Sequence, residues 1–368
     1  MNVPFVDLKK QYQSIKTEID NAIQNVIENT AFIGGKAVKE FEQNFANTYK
    51  VKHCISTANG TDAIYIVMKM LGIGEGDEVI TTAHSWISTS ETISQTGAKV
   101  VFVDTENDYF TIDADKIEQK ITSKTKAIIP VHLYGQAAQM DKIVNICKKY
   151  NIALIEDCAQ SHFSEFKGQY VGTFGIASTF SFYPGKNMGA YGDAGCILTN
   201  DDTLADKFRM YANHGALVKH QHVIEGINSR LDGLQAAILN VKLKHIFEWN
   251  NKRILNAQKY NKALGNIKQV ITPLIRPESK HTSHVYCIKV EKREQLIEYL
   301  KTKGIDTAIH YPTILPFLKA YNYLGYSKND FPVAYAYQDK ILSLPMFPEL
   351  TDQQIEYIAQ TIKDFYNL

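Results

Sequence analysis

Short apolar runs that end in polar or turn residues recur along the first 245 residues, with amphipathic stretches between them. The stretch TDAIYIVMKML (61–71) predicts a mostly apolar helix, and EVITT (78–82) predicts a short strand after the turn GIGEGDE. Five further runs predict strands: AKVVFVD (98–104), TKAIIPVHLYG (125–135), NIALIEDCA (151–159), ASTFSFYPG (177–185) and GCILTN (195–200). Buried parallel strands are apolar throughout because helices cover both faces of the sheet. The pattern therefore predicts an α/β domain with a mainly parallel sheet over residues 1–245.

The pattern changes after a helix predicted over residues 230–246. A strand is predicted at VYCIKV (285–290), a helix at REQLIEYLKTKG (293–304) and a second strand at IDTAIHY (305–311). The segment SLPMFPEL and the amphipathic helix TDQQIEYIAQTIKDF complete the sequence. We expect a smaller α+β domain over residues 246–368.

The composition is that of an ordinary globular protein. Of the 368 residues, 45% are hydrophobic and 21% are charged, which excludes a disordered chain. The 40 Lys and Arg residues nearly balance the 39 Asp and Glu residues, giving a formal net charge of +1. This balance argues against bulk electrostatic binding to a nucleic acid or to an anionic membrane. It is compatible with a local basic pocket for one phosphorylated ligand.

The sequence predicts a cytoplasmic protein without a membrane partner. No run approaches the roughly 18–20 apolar residues of a membrane span. The start, MNVPFVDLKKQYQ, turns polar too early for a signal peptide. The five Cys residues form no C-x-x-C pair. We therefore expect free thiols in a reducing compartment and no metal site.

An acid and an amine follow two of the predicted strands. In open α/β sheets, ligands bind beyond the carboxyl ends of the strands. Asp157 ends the run ALIED, and Lys186 follows the run TFSF in the loop YPGKN. A salt bridge between the two is one interpretation. A reactive pair at the edge of the sheet is the other.

Two further segments have functional and structural interpretations. In STANGTDAI, the N–H groups of Gly60 and Thr61 begin a helix and would form an anion site, although the same residues suit an ordinary helix cap. In HSWIST, Trp86 follows a strand end and is either a core residue or a flat face for a planar cofactor. Together, the acid, the amine, the helix start and the aromatic residue match the needs of pyridoxal phosphate (PLP). This cofactor requires a Lys for a Schiff base and a carboxylate beside its pyridine nitrogen.

The chain resembles the DegT/StrS-type family of PLP-dependent nucleotide-sugar aminotransferases over nearly its whole length, and among its members the sugar 3-aminotransferases most. The segments that carry the resemblance include FVDLKKQY, FIGGKAVKEFE, ANGTDAI, AHSWIST, IEDCAQSH, FSFYPGKNMGAYGDAG, GINSRLDGLQAAIL, IHYPT and LSLPMFPEL. The resemblance implies the aspartate-aminotransferase fold (PLP fold type I). It also implies a homodimer with active sites shared between subunits.

The resemblance assigns roles around the cofactor. Lys186 matches the Schiff-base lysine and catalytic base, and Asp157 matches the partner of the pyridine nitrogen. Gln160 matches the residue beside the ring 3-hydroxyl, and Trp86 falls where the family stacks an aromatic side chain on the ring. The matches to the phosphate site are Gly60, Thr61, Ser181 and, donated by the other subunit, Asn228.

Other positions match the substrate side of the family's site. Arg230 falls near the substrate, where a guanidinium could bind a carboxylate or a phosphate, with a core or surface role as the alternative. His310 and Tyr311 lie in IHYPT, a motif that here continues as ILP and lacks the His found in many relatives. His162 and Tyr183 resemble a pair found in 3-aminotransferases acting on dTDP-3-keto-6-deoxyhexoses, with loop capping and domain packing as their alternatives.

The resemblance predicts transamination. Sugar dehydratases of this fold carry His at the position of Lys186, which this chain keeps. We expect L-glutamate as amino donor and a dTDP-3-keto-6-deoxyhexose as acceptor, giving a dTDP-3-amino-3,6-dideoxyhexose. UDP-3-keto-N-acetylglucosaminuronic acid is the alternative 3-keto acceptor, and a 4-keto sugar is another. A nucleotide-sugar-binding regulator without turnover is the non-enzyme alternative.

Overall fold

A computed structural model describes residues 1–367. Its helices are α1 (Leu8–Ser14), α2 (Lys16–Glu28), α3 (Gly35–Tyr49), α4 (Gly60–Met70), α5 (Ser88–Gln95), α6 (Met140–Tyr150), α7 (Asp202–Ala212), α8 (Gly233–Leu243), α9 (Ile246–Leu264), α10 (Arg293–Thr302), α11 (Pro332–Gln338) and α12 (Asp352–Phe365). Its strands are β1 (His53–Thr57), β2 (Glu78–Thr82), β3 (Lys99–Val103), β4 (Thr125–Ile129), β5 (Ala153–Asp157), β6 (Glu165–Phe166), β7 (Gln169–Tyr170), β8 (Ala177–Ser181), β9 (Gly195–Thr199), β10 (Val270–Ile271), β11 (Ser279–Lys280), β12 (Tyr286–Val290) and β13 (Ile341–Leu344).

The central sheet has seven strands in the order β1-β9-β8-β5-β4-β2-β3. Strands β8, β5, β4, β2 and β3 are parallel, whereas β9 is antiparallel to both of its neighbours, β8 and β1. The predicted α/β class and mainly parallel sheet are therefore confirmed. Every apolar run predicted as a strand before residue 245 contains an observed strand, because these strands are almost wholly buried.

Strand β1 was missed by the sequence analysis, because its sequence HCIST carries polar residues. The structure shows what stabilises one of them. The N–H and the hydroxyl of Ser56 donate to Glu42 Oε1 at 2.9 and 2.7 Å. The strand is thus held partly by hydrogen bonds to α3, which a pattern of apolar positions does not reveal.

The C-terminal part contains a three-stranded sheet in the order β10-β12-β13. The strand predicted over residues 305–311 is wrong, because this segment forms only isolated bridges, from Ile305 to Val3 and from Ala308 to Ser343. The strand that pairs with β12 is β13. The segment 305–311 instead carries His310 and Tyr311 to a cavity described below.

The N-terminal end of the chain contacts this C-terminal part. The N–H of Val3 donates to the carbonyl of Gly304 at 2.8 Å, and the N–H of Asp306 donates to the carbonyl of Val3 at 3.0 Å. Helix α9 begins at the predicted boundary and takes part in two apolar cores, one through Trp249 and the other through Tyr260. The division into domains 1–245 and 246–368 stays a prediction. None of the helices within residues 1–367 combines the length and apolar character that crossing a bilayer would require.

A buried carboxylate holds the end of β5 against the loop that precedes β8. The side chain of Glu156 is fully buried. Its Oε2 accepts from Gly172 N–H at 2.7 Å, and its Oε1 accepts from the N–H groups of Phe174 and Gly175 at 2.7 and 2.9 Å. Several charge-assisted hydrogen bonds of this kind offset the cost of burying a charge.

His132 completes this network. Its Nδ1 lies 3.1 Å from the N–H of Ala138, so Nδ1 accepts and Nε2 carries the proton that is donated to Glu156 Oε2 at 3.1 Å. The potential ligand atoms of His132, Glu156 and Cys158 lie within 4.8 Å of one another. Because the His and Glu atoms are already hydrogen-bonded, we interpret the cluster as a support for the sheet.

Glu156→Gln is expected to destabilise the fold. The amide nitrogen of Gln cannot accept from the buried N–H groups, and leaving such groups unpaired costs on the order of 3 kcal/mol. Urea denaturation should show a lower midpoint for this variant. Glu118→Gln is the control, since Glu118 forms an exposed ion pair with Lys149, and exposed pairs contribute little. Equal midpoints for the two variants would contradict the supporting role of Glu156.

Candidate active site

A cavity of about 570 Å³ lies at the carboxyl edge of the central sheet. It collects most of the candidate site residues, which come from both parts of the chain. Those that line it are Gly60, Thr61, Trp86, Asp157, Gln160, Ser181, Tyr183, Lys186, His310 and Tyr311. Because β5 and β8 are adjacent and parallel, the acid and the amine that follow them reach the same edge.

The start of α4 forms an anion cradle at one end of the cavity. The side chain of Asn59 caps the helix by accepting from Asp62 N–H at 2.8 Å, which leaves the N–H groups of Gly60 and Thr61 pointing beyond the helix. A Cβ on Gly60 would lie 2.7 Å from Ser181 Cβ. Only glycine therefore lets the helix start approach the end of β8, where its N–H groups and the Ser181 hydroxyl can bind one phosphate.

Asp157 lies almost fully buried in the wall of the cavity. Its Oδ2 accepts from Thr89 Oγ1 at 2.7 Å, and its Oδ1 accepts from Ala159 N–H at 3.1 Å. Both donors are uncharged, so neither forms an ion pair with the carboxylate. This environment suits a partner for the protonated nitrogen of a pyridine ring.

Lys186 lies on a closed loop after β8. The loop is fixed by hydrogen bonds from Lys186 N–H to the Tyr183 carbonyl at 2.8 Å and from Ala190 N–H to the Phe182 carbonyl at 2.7 Å. Burial lowers the pKa of the Lys186 amine to about 8, an effect that the charge of Asp157 partly offsets. At pH 8 about half of this amine is therefore neutral, and the neutral amine is the nucleophilic form.

Gln160, Tyr311 and Trp86 form a contiguous part of the cavity wall. Gln160 Nε2 donates to the Tyr311 hydroxyl at 3.0 Å. The rings of Trp86 and Tyr311 lie 5.5 Å apart at 47°. Trp86 is 56% exposed, so much of its indole surface is free to contact a planar ligand.

His310 lies on the segment that the C-terminal part sends into the cavity. Its Nδ1 is 2.9 Å from Ser343 Oγ, and its ring stacks on Phe5 with 5.6 Å between centroids. Burial and the positive charge of Lys186 lower the pKa of His310 to about 4. His310 is therefore neutral near pH 7.

The structure places His162 outside the cavity lining. Its side chain is fully buried, and its ring lies 5.6 Å from that of Phe180 and 5.4 Å from that of Phe182. Neither ring nitrogen has a hydrogen-bond partner within residues 1–367. Burial, and then the charge of Lys186, lower the pKa of His162 to about 3. In this conformation His162 does not reach the cavity, so its contact with a sugar stays a prediction.

Asn228 and Arg230 also lie outside the cavity, and both are exposed. The residue between them, Ser229, is buried and anchors the segment beside the start of α4. Its hydroxyl donates to Asp62 Oδ2 at 2.7 Å and accepts from Ala58 N–H at 3.1 Å. The two flanking side chains therefore project from a fixed backbone at the surface.

Several cavity residues were missed by the sequence analysis. Asn59 and Thr89 lie inside motifs quoted above, and their hydroxyl or amide groups were the available signal. Phe5 begins the quoted segment FVDLKKQY, whereas His284 lies in no quoted segment, and both reach the cavity only through tertiary packing. No spacing in the sequence connects them with Lys186.

The residues of the cavity fit PLP, and comparison with known proteins identifies the class. The sequence pattern of the DegT/DnrJ/EryC1/StrS aminotransferase family matches residues 13–363. The chain belongs to this family. Enzymes of the family use PLP, so the predictions of family, enzyme class and cofactor are confirmed.

The relatives are similar along their whole lengths. The chain is 44% identical to a pleiotropic regulatory protein of Geobacillus stearothermophilus, covering 100% of this chain and 99% of the relative. It is 40% identical to a UDP-2-acetamido-2-deoxy-3-oxo-D-glucuronate aminotransferase of Pseudomonas aeruginosa, covering 98% and 99%. It is 39% identical to a dTDP-3-amino-3,6-dideoxy-alpha-D-galactopyranose transaminase of Aneurinibacillus thermoaerophilus, covering 99% of each.

A solved structure confirms the fold. The crystal structure of DesV from S. venezuelae in complex with a ketimine intermediate superposes with a TM-score of 0.97 at 35% identity, covering 100% of this chain and 99% of DesV. The predicted PLP fold type I is therefore confirmed for this aminotransferase.

Capture of PLP by the cofactor-free enzyme should be limited by the neutral fraction of Lys186. We expect the capture rate to increase with pH through a midpoint near 8, because protonation blocks the amine below that pH. Reduction with borohydride and peptide mapping should place the label on Lys186, and Lys186→Ala should remove it.

Lys242 provides an internal control for this experiment. Burial also lowers the pKa of its amine, to about 7, but the amine donates to the Gly189 carbonyl at 2.5 Å and Lys242 lies outside the cavity. A label on Lys242, or a capture midpoint near the ordinary lysine pKa of about 10.4, would contradict the assignment of Lys186.

Proposed function

We propose that this aminotransferase moves the amino group of L-glutamate to a keto nucleotide sugar, and that the acceptor is a dTDP-3-keto-6-deoxyhexose. The product is a dTDP-3-amino-3,6-dideoxyhexose. The observation that carries the choice is the position of Tyr183, which lines the cavity three residues before Lys186 and is 59% exposed. Its hydroxyl is available to a sugar or a pyrophosphate. The transaminase from A. thermoaerophilus supports the same substrate class.

The cavity residues divide the work of holding the cofactor. Bound PLP supplies an electron-withdrawing ring and a carbonyl carbon. The N–H groups of Gly60 and Thr61 and the Ser181 hydroxyl would hold its phosphate, and Asp157 would keep a proton on its ring nitrogen. Gln160 would bind the ring hydroxyl, and Trp86 would contact one face of the ring.

Lys186 and the cavity mouth act on the substrates. As a neutral amine, Lys186 Nζ accepts the proton from Cα of glutamate and later returns a proton at C3 of the sugar. Tyr183, His310 and Tyr311 bind the sugar or its pyrophosphate. Because His310 is neutral near pH 7, it can hydrogen-bond to the sugar or its pyrophosphate without adding a cation that would attract the cofactor phosphate away from the helix start.

A UDP-linked 3-keto uronic acid is the second candidate acceptor. Arg230 favours this acceptor, because its guanidinium is exposed and could bind the sugar carboxylate if the other subunit's cavity lies nearby. Without such a cation, removing the carboxylate from water would be costly. The aminotransferase from P. aeruginosa supports this candidate. A regulator without turnover has weaker support, since such a protein would need neither Lys186 nor Asp157.

The substrate assignment is tested by comparing kcat/KM for the dTDP-3-keto-6-deoxyhexose, the UDP-3-keto uronate and a dTDP-4-keto sugar, each with L-glutamate. We expect the first value to be highest. Tyr183→Phe should raise the KM of the sugar several-fold and leave the glutamate half-reaction nearly unchanged, because glutamate has no group that requires this hydroxyl. A higher kcat/KM for the uronate, reduced by Arg230→Gln, would establish the second candidate instead.

We further propose a cytoplasmic homodimer in which Asn228 and Arg230 complete the partner's site. Both are exposed and lie outside the cavity of their own chain. The loop that precedes them exposes Leu217, Val218 and Val223, apolar side chains that an isolated chain would leave in water. All five Cys are free and buried, in keeping with a reducing compartment.

Mixing inactive variants tests the shared site. In a heterodimer of Lys186→Ala and Asn228→Ala chains, one site combines an intact Lys186 with an intact Asn228 from the other chain. Random exchange of equal amounts should restore about a quarter of the wild-type activity per chain. No recovery after exchange has been verified by mass spectrometry would show that Asn228 serves its own chain.

A further inference from the structure

Tyr134 lies outside the cavity, yet all three of its polar groups bind residues that line it. The side chain is only 2% exposed. Its N–H donates to Gln160 Oε1 at 2.7 Å, and its carbonyl accepts from His284 N–H at 2.8 Å. Its hydroxyl donates to the carbonyl of His310. One buried residue therefore contacts three different parts of the cavity wall.

The backbone of Tyr134 adopts a conformation that is intrinsically unfavourable for a non-glycine residue. Its φ of 61° and ψ of 3° lie in the left-handed region, which is unfavourable for a residue with a Cβ. The next residue, Gly135, has a φ of 98°. A Cβ there would lie 2.8 Å from Thr282 Oγ1. Tertiary contacts must hold this turn, and such strain commonly occurs at functional sites.

His84 adds a second buried contact to the same segment. Its Nε2 lies 3.1 Å from the Tyr134 hydroxyl and 3.0 Å from the His310 carbonyl. Burial lowers the pKa of His84 to about 4, so the ring is neutral near pH 7. His310 and Tyr311 belong to no strand. Tyr134 and His84 bind the His310 carbonyl, and Gln160 binds the Tyr311 hydroxyl, so these side chains help to hold the segment.

We propose that Tyr134 is a positioning residue that couples the cofactor side of the cavity to its sugar side. Through its N–H it orients the amide of Gln160, beside the cofactor. Through its hydroxyl it holds the segment that presents His310 and Tyr311. The proposal rests on the proposed function in assigning the cofactor to the first side and the sugar to the second.

Tyr134→Phe separates the two sides, because it removes the hydroxyl and leaves the backbone N–H to Gln160 intact. We expect kcat/KM for the keto sugar to fall about tenfold, because the free energy of one buried hydrogen bond, about 1.4 kcal/mol, is lost from the positioning of His310 and Tyr311. The glutamate half-reaction, followed by the cofactor absorbance in single turnovers, should stay within about twofold of wild type. A residue that only stabilised the fold would lower both half-reactions together.

Tyr337→Phe is the matched control. Tyr337 is also 2% exposed, packs on Phe110 as Tyr134 does, and donates or accepts one buried hydrogen bond, with Thr105 Oγ1 at 2.8 Å. It contacts no backbone group of the cavity wall through its hydroxyl. In the Tyr337→Phe enzyme, the rates of the glutamate and sugar half-reactions should change by the same factor or not at all.

Hydrogen exchange in the cofactor-free protein gives a readout that needs no substrate. Amides in residues 308–314 should exchange faster in Tyr134→Phe than in Tyr337→Phe or in the wild type. Wild-type exchange in this segment would overturn the proposal. A wild-type enzyme that aminates none of the sugars would instead overturn the proposed function, and the exchange result would still decide the role of Tyr134.

Discussion

The parallel pairing of β5 with β8 places a carboxylate and an amine at one edge of the sheet, and the rest of the site depends on that pairing. The register aligns Asp157 with Thr179, so the chain leaves both strands at the same level and continues to Lys186. A shift of one residue would turn every side chain of a strand to the other face of the sheet. Glu156 stabilises the pairing of β5 with β8, because its carboxylate binds the loop that leads into β8. Of these two neighbouring acids, Glu156 supports the fold and Asp157 faces the cavity.

The cavity combines charge with exclusion of water. Burial lowers the pKa of the Lys186 amine enough for the neutral form to exist near physiological pH, and the Asp157 carboxylate lies in the same cavity, bound by uncharged donors. Burial keeps both His310, which lines the cavity, and the nearby His84 neutral, so the positive charge among these three residues comes from Lys186. The helix start at Gly60 supplies an anion site without a side-chain cation. Such a site can hold a phosphate firmly and still leave the amine free to change its protonation state.

The sequence predicted what local chemistry determines. Apolar runs predicted the strands of the central sheet, and Asp157, Lys186 and the ANGTD segment marked its functional edge. The prediction failed where tertiary contacts override local pattern. Strand β1 is stabilised through Glu42. The segment 305–311 forms only isolated bridges and places His310 and Tyr311 in the cavity wall. Likewise, no periodicity distinguishes the buried ring of His162 from the exposed ring of Tyr183, because their burial depends on Phe180 and Phe182 packing around His162.

The central claim is that the enzyme moves an amino group from an amino acid to a keto nucleotide sugar, with Lys186 as the residue that transfers the protons. It is tested most directly by incubating the purified enzyme with PLP, ¹⁵N-labelled L-glutamate and the dTDP- and UDP-linked keto sugars. The sugar products are then analysed by mass spectrometry. The account predicts one ¹⁵N atom in an amino sugar nucleotide, and none when Lys186→Ala replaces the wild type. Labelled product from the Lys186→Ala enzyme, or a wild type that consumes glutamate without labelling any of these sugars, would contradict it.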